Sequence, residues 1–370
     1  MKYIVVTALL FARLSMVFAQ NETTTAPAKN ERVKVIKLAA DNKPDLAPFP
    51  IGVTGIHIIP LCGDTARLGY VQVGMMNKKI SAVPDKPWAN YLQDFTDAQY
   101  KSMFKDTGVH LLWVIKDLRI NERTFAMSEK AFVRLKADAY ASSDQQHYHL
   151  LAHFDTTLIR GGMDVTGKHD RNIAQIVQLL LEASVANATA AVKDTAPLLA
   201  ADIQDKTAAE LNTSILLATQ YNSGVYRSYA EFLANTPSVS NFDIAIERKK
   251  VNVYETKADG SRVLVEHPWG LCKDGEVYKY IPTALIPLEK SGHAFVISNY
   301  LEAINRKNKS IFWSAVGGGL GGGLIGGAAM GAAASSSAGN SVYLVTAIPY
   351  IKKQQPEATT VDVESGELMF

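Results

Sequence analysis

Three histidines and a carboxylate crowd one short stretch: His147, His149, His153 and Asp155, just after the turn residues Ser142-Ser143-Asp144. On a strand, side chains alternate between faces, so these four positions are expected to share one. Imidazoles in H-x-H spacing beside a carboxylate suit Zn²⁺, and a zinc-bound water would make a metal-dependent hydrolase. The competing reading is a hairpin tip where solvated histidines gather. No H-E-x-x-H helix and no nucleophile elbow accompany the cluster. We therefore expect no metal, no cofactor and no catalytic residue, with His147, His149 and His153 as the ligands if that expectation fails.

Asp155, Asp164, His169 and Asp170 could be drawn into an acid–base site, but Gly161-Gly162 beside Asp164 reads more simply as a strand-to-helix turn. Trp113, Trp269 and Trp313 lack the interleaved basic residues of a nucleic-acid groove, so they read as core or interfacial side chains. Cys62 and Cys272 show no C-x-x-C spacing; two buried free thiols or one link between the halves both fit.

A different chemistry is written between Ser310 and Ile351, where no residue is charged. Ala315, Gly319, Gly323, Gly327, Gly331 and Ser335 recur at every fourth position, giving a helix one backbone-smooth face. Such spacing lets helices approach closely in lipid. In water each glycine disfavours a helix by roughly 0.8–1 kcal/mol relative to Ala. Residues 314–334 are thus either a glycine-zipper helix for membrane association or self-assembly, with Gly319, Gly323, Gly327 and Gly331 as its contact face, or a loop. Arg306, Lys307 and Lys309 precede the segment on the side a signal peptide would export, which opposes a single inner-membrane span and favours peripheral insertion or oligomer packing.

The elements that must carry these residues follow from periodicity. Ile56–Ile59 and Tyr70–Val73 read as short strands. Residues 88–105, opened by Pro87, repeat aromatic residues at helical spacing. Residues 109–120 form a nearly continuous apolar strand, 132–141 and 148–158 two more strands, and 169–187 an amphipathic helix through Ile173, Ile176, Val177, Leu180 and Leu181. The order predicts an α+β domain over 51–190, a mixed or antiparallel sheet with helices on one face. Residues 191–223 read as a linker or helix, and 224–370 as a β-rich second domain interrupted by the glycine segment, with Asp259-Gly260 as a hairpin turn.

With its long apolar strand Leu111-Leu112-Trp113-Val114-Ile115-Lys116-Asp117-Leu118 ahead of two alternating strands and a helix, the first half resembles the α+β domain of Gram-negative envelope auxiliary lipoproteins that assist lipid or lipopolysaccharide transport. The chain lacks their lipidated cysteine. The second half carries Gly224-Val225-Tyr226, then Glu231-Phe232, Asn235-Thr236-Pro237-Ser238, Trp269-Gly270-Leu271-Cys272 and Ser365-Gly366-Glu367. It resembles a recurrent module of exported Gram-negative proteins, G-x-Y-x-x-x-x-E-F, N-x-P-S, W-G-x-C and S-G-E in that order; the resemblance implies no activity.

Residues 1–19 read as a signal peptide, with Lys2, a short apolar run and Val17-Phe18-Ala19 ahead of cleavage. Residues 20–50, rich in Thr, Ala, Pro, Asn and Lys, read as a disordered tether. Of 370 residues, 47% are hydrophobic and 20% charged, enough for packed cores; the formal charge of +2 resides in Lys2 and Arg13 of the leader. A balanced mature chain is a poor nucleic-acid binder. The expectation is a non-enzymatic exported protein of the periplasm or outer membrane, binding an envelope protein or lipid and self-associating.

Overall fold

The computed structural model describes residues 32–40, 49, 51–125, 128–194, 196–248, 250–317 and 348–370. The leader, most of 20–50, and Gly319, Gly323, Gly327 and Gly331 lie outside the described residues.

The chain is an α+β protein. Its first half contains β1 (Val33–Ile36), β2 (Val53–Pro60), β3 (Gly69–Val73), β4 (Lys78–Pro84), α1 (Trp88–Tyr100), β5 (Val109–Phe125), β6 (Ser128–Ser142), β7 (His147–Gly162) and α2 (His169–Asp194). These strands, with β8 (Leu198–Leu199), form one mixed sheet in the order β1-β4-β3-β5-β6-β7-β8, and β2 runs parallel to the first part of β5. Leu111, Trp113 and Ile115 of β5 are buried under α1 and α2, which contribute Tyr91, Phe95, Ile173 and Leu180 to the same core. Trp113 Nε1 donates to Ser184 Oγ at 3.0 Å, which fixes α2 to the central strand.

A β-bulge between Ile115 and Asp117 changes which residues face the helices. Beyond it Leu118 and Ile120 join the helix-side core, while Lys116 and Asp117 come to lie together on the opposite face. An extra residue in one strand does this by resetting the two-residue alternation.

The tether expected over 20–50 is corrected at Val33–Ile36. This β-branched run pairs in parallel with Ser81–Pro84 of β4, Ile36 is buried, and Tyr91 Oη donates to its carbonyl at 3.1 Å. A four-residue strand covers an edge that would otherwise present unpaired backbone groups.

The second half comprises α3 (Ala200–Leu211), α4 (Ser214–Leu217), β9 (Gly224–Tyr226), α5 (Tyr229–Leu233), β10 (Phe242–Glu247), β11 (Lys250–Thr256), β12 (Arg262–Leu264), β13 (Gly270–Lys273), β14 (Glu276–Ile281), β15 (Ala284–Ser291), β16 (Ala294–Ile297), α6 (Tyr300–Gly317), β17 (Thr360–Val361) and β18 (Leu368–Met369). Seven strands make an antiparallel sheet ordered β18-β17-β16-β15-β14-β13-β9, and β10-β11-β12 form a separate three-stranded sheet. Within the expected linker, Ile203 of α3 packs with Leu112, Val114, Tyr140 and Tyr148 on the face of the first sheet turned away from α1 and α2.

The motif residues of this half build its interior. Phe232 stacks on Trp269 with centroids 4.1 Å apart, and Trp269 Nε1 donates to the Gly366 carbonyl at 2.9 Å. Gly366 has φ +71°, and a Cβ there would run into the Tyr229 ring. The Glu231 carboxylate accepts from Arg227 N at 2.7 Å and Ser238 Oγ at 3.0 Å, tying the E-F and N-x-P-S pieces together.

Candidate functional site

The two halves meet along a charged seam that the β5 bulge opens. Lys116 Nζ lies 3.0 Å from Asp138, 3.5 Å from Glu210 and 2.6 Å from Glu364. Lys136 reaches Asp362 at 3.1 Å and Glu364 at 2.8 Å, and Arg134 spans Asp155 at 2.7 Å and Asp362 at 3.4 Å. The S-G-E loop therefore delivers Asp362 and Glu364 across to three basic side chains of the first sheet. Burial pushes the Asp362 carboxyl up, but the Ser365 N–H and Lys136 outweigh it and hold its pKa at about 2. Burial works against the Lys116 charge, yet Glu364 and Asp138 raise its pKa overall.

Beside this seam lies a groove of about 470 Å³ lined by Lys116, Asp138, His153, Asp155, Thr213 and Glu364, among others. His153 Nδ1 sits 2.6 Å from Asp138 Oδ1, and its side chain is 68% exposed. A positioned imidazole on a buried carboxylate can exchange a proton or accept a hydrogen bond from a ligand.

A second knot lies deeper. The Lys79 ammonium is buried and donates to Asn121 Oδ1 at 2.7 Å, Tyr300 Oη at 2.9 Å and Glu357 Oε2 at 3.2 Å. Burial lowers the Lys79 pKa, with Glu357 opposing. Burial likewise raises the Glu357 carboxyl, but Lys79 and Lys307 overcome it and hold the pKa at about 2. Tyr70 of β3 is packed 4.4 Å from Tyr300, centroid to centroid, within the second half's own core. A cleft of about 590 Å³ opens beside this knot, with Arg32, Lys78, Tyr300 and Glu302 on its walls.

The expected one-faced histidine cluster does not form. The β6–β7 register shifts between Ala139 and Tyr140, so His149 pairs with Ala141 while His153 pairs with Asp138. Ala141 faces the helix-side core and Asp138 the seam, so this second bulge parts His149 from His153. His147 instead caps its own turn, Nδ1 lying 2.7 Å from Asp144 Oδ2. Among the described residues no group of three or more His, Cys, Asp or Glu side chains is placed to hold a metal ion.

The acid–base set also disperses. Asp155 is bound by Arg134, Asp164 Oδ1 accepts from Thr166 N at 3.0 Å, and His169 is buried 2.8 Å from Glu122, whose other oxygen accepts from Thr166 Oγ1. Trp113 and Trp269 are core side chains, and the Trp313 side chain lies outside the described set. Cys62 and Cys272 are buried free thiols, both with pKa values raised by burial. Among the described residues no helix is long and apolar enough to cross a membrane. Glu357, at the centre of the knot, carries no sequence motif; the one local hint is Lys79, a lysine followed by the strand run Ile80-Ser81-Ala82-Val83.

No protein-family model matches the chain, and no curated protein does. Among solved structures, protein XCC0632 from Xanthomonas campestris, of family model DUF330, is similar over 42% of this chain and 95% of its own, at 13% identity and a TM-score of 0.30. So low a score says nothing about fold or function.

Proposed function

We propose that the protein is a non-enzymatic, exported component of the Gram-negative envelope that binds a lipid or protein partner through its glycine-rich insert. The supporting observation is how α6 is held. Asn305 bonds to the Lys79 backbone, Asn308 Nδ2 donates to Asn77 O at 2.7 Å, and Lys307 lies 3.2 Å from Glu357. This fastened helix leads directly into the uncharged stretch between Ser310 and Ile351. A firmly seated helix ahead of a long apolar insert suits attachment to a bilayer or to another copy of the chain, with Gly319, Gly323, Gly327 and Gly331 as the close-approach face.

The test is fractionation of the full chain against a variant lacking 318–347. The full chain should stay with carbonate-washed envelope membranes, start near Gln20, and give detergent-resistant oligomers that Gly323→Leu with Gly327→Leu removes. Equal retention of the deletion variant, with oligomers unchanged in the glycine variant, would reduce the insert to a loop.

A further inference from the structure

Three features converge on one pole of the first sheet. The β3–β4 turn carries Met75 and Met76, 89% and 42% exposed, and the loop after β7 carries Met163, 93% exposed. They share an end of the sheet: Thr166 Oγ1 donates to Gln72 O at 3.0 Å, and Thr124 Oγ1 at the end of β5 donates to Gln72 Oε1 at 2.9 Å. Methionine is flexible and apolar, and a group of such side chains at loop tips is unlike singly scattered surface residues.

Helix α6, which leads into the insert, points at this same pole. Helix α6 passes Lys79 at Asn305 and Asn77 at Asn308, so it runs toward the β3–β4 turn. It continues to Gly317, roughly 13 Å further at the helical rise. The described chain resumes at Ile348, buried in the second half's core, and then runs out to this pole, where Tyr350 lies under the Arg123 guanidinium at 3.7 Å. Arg123 also donates to the carbonyls of Lys353 at 2.9 Å and Gln355 at 2.6 Å.

Charge at this pole has one dominant sign. The exposed lysines are Lys78 next to the Met75-Met76 turn, Lys168 shortly after Met163, Lys309 after the Asn308 that bonds Asn77, and Lys352 and Lys353 in the segment held by Arg123; among the described acids here Asp164 is exposed and Glu129 half-buried. Apolar tips ringed by lysines match the interface of an anionic bilayer, where side chains enter the headgroup boundary and ammonium groups meet phosphates.

We infer that this pole is a docking surface for an anionic phospholipid bilayer, with Met75, Met76 and Met163 entering the interface and the surrounding lysines meeting lipid phosphates. It deepens the membrane reading above and rests on it. The bilayer is favoured over a folded partner because helix α6 carries the chain into its uncharged insert at this lysine-bearing end.

The experiment measures co-sedimentation with vesicles containing phosphatidylglycerol, or phosphatidylcholine alone, on two backgrounds: the full chain and the 318–347 deletion. On each, Met75→Asp with Met163→Asp is compared with its parent; both sites are exposed, and unchanged thermal unfolding confirms folding. The expected result is a loss of about fivefold or more in binding to anionic vesicles on both backgrounds. The deletion background alone should keep a residual, salt-sensitive binding specific to the anionic lipid. Binding of the methionine variants equal to their parents on both backgrounds overturns the inference. If the deletion binds like the full chain while the methionine variants fail, the insert reading falls and the pole stands. Peroxide oxidation covers the remaining occupant: Met75 and Met163 should be reactive in the free chain and protected by vesicles. Protection in the free full chain that the deletion abolishes would mean the insert covers the patch, which also overturns it.

Discussion

The side-chain amide of Asn305 acts as a strand for Lys79: its Oδ1 accepts from the Lys79 N–H at 2.7 Å and its Nδ2 donates to the Lys79 carbonyl at 2.9 Å. Strand β1 pairs with β4 only from Ser81 onward, so two residues earlier a single helical side chain closes the same edge. Backbone pairing and domain docking are thus one contact. Asn305→Ala should destabilise the fold by about 1–3 kcal/mol, because two backbone groups lose their partner. Asn305→Asp, which keeps the acceptor and loses the donor, should fall between. Urea midpoints, read with amide exchange at Lys79, check both.

Glu357 is the carboxylate partner of a buried ammonium, so its removal should cost more. Glu357→Gln is expected to destabilise by about 3–5 kcal/mol, whereas Lys79→Met combined with Glu357→Leu should regain most of that loss. Denaturation of Lys79→Met, Glu357→Leu and the double variant completes the cycle. A double variant no more stable than Glu357→Gln would show that the ion pair is not what holds the knot.

Acid should weaken the fold in two stages. Burial, with repulsion from His57, lowers His110 from its ordinary 6.5 to about 4, so protonation favours the unfolded chain. That contribution is complete above pH 6.5 and is lost as pH falls toward 4. Glu357 and Asp362 are held at about 2, below their ordinary 4.5 and 3.8, so their contribution disappears between roughly pH 4.5 and 2. Asp117 and Glu129, raised by burial, act in the opposite direction. Stability against pH should therefore flatten in the upper stage for His110→Gln and in the lower stage for Glu357→Gln.

Zinc should not bind through the β7 histidines as a set. Parting His149 from His153 by the bulge leaves no shared coordination sphere, so titration calorimetry should show no stoichiometric zinc uptake that depends on both. Tight uptake abolished by His149→Ala and by His153→Ala separately would refute the described register.

Much of the architecture was readable because it is local. The apolar run of β5, the alternation along β6 and the 3.6-residue spacing of Ile173, Ile176, Val177, Leu180 and Leu181 each report one element's own burial. The bulges were not readable: neither Lys116 nor Leu151 is a glycine or proline, and their effect exists only against the partner strand's register. Strand β1 is four residues of Val-Lys-Val-Ile in polar surroundings, shorter than any periodicity test can resolve. The knot was hidden for a different reason. Lys79 and Glu357 stand 278 positions apart, and each alone looks like an ordinary surface charge.

One consequence concerns the order in which the chain is made. Strands β17 and β18 and the acids Glu357, Asp362 and Glu364 all lie beyond residue 356, yet they face Lys79, Arg134, Lys116 and Lys136 in the first half. A chain made only as far as residue 356 can assemble the first sheet's strands, but Lys79 and Lys136 then lack the carboxylates that pair them, while Lys116 and Arg134 keep Asp138 and Asp155. The first half is thereby left unfinished until residues 357–364 have been made. Any copy cut short before residue 357 would betray itself by an interior it cannot neutralise.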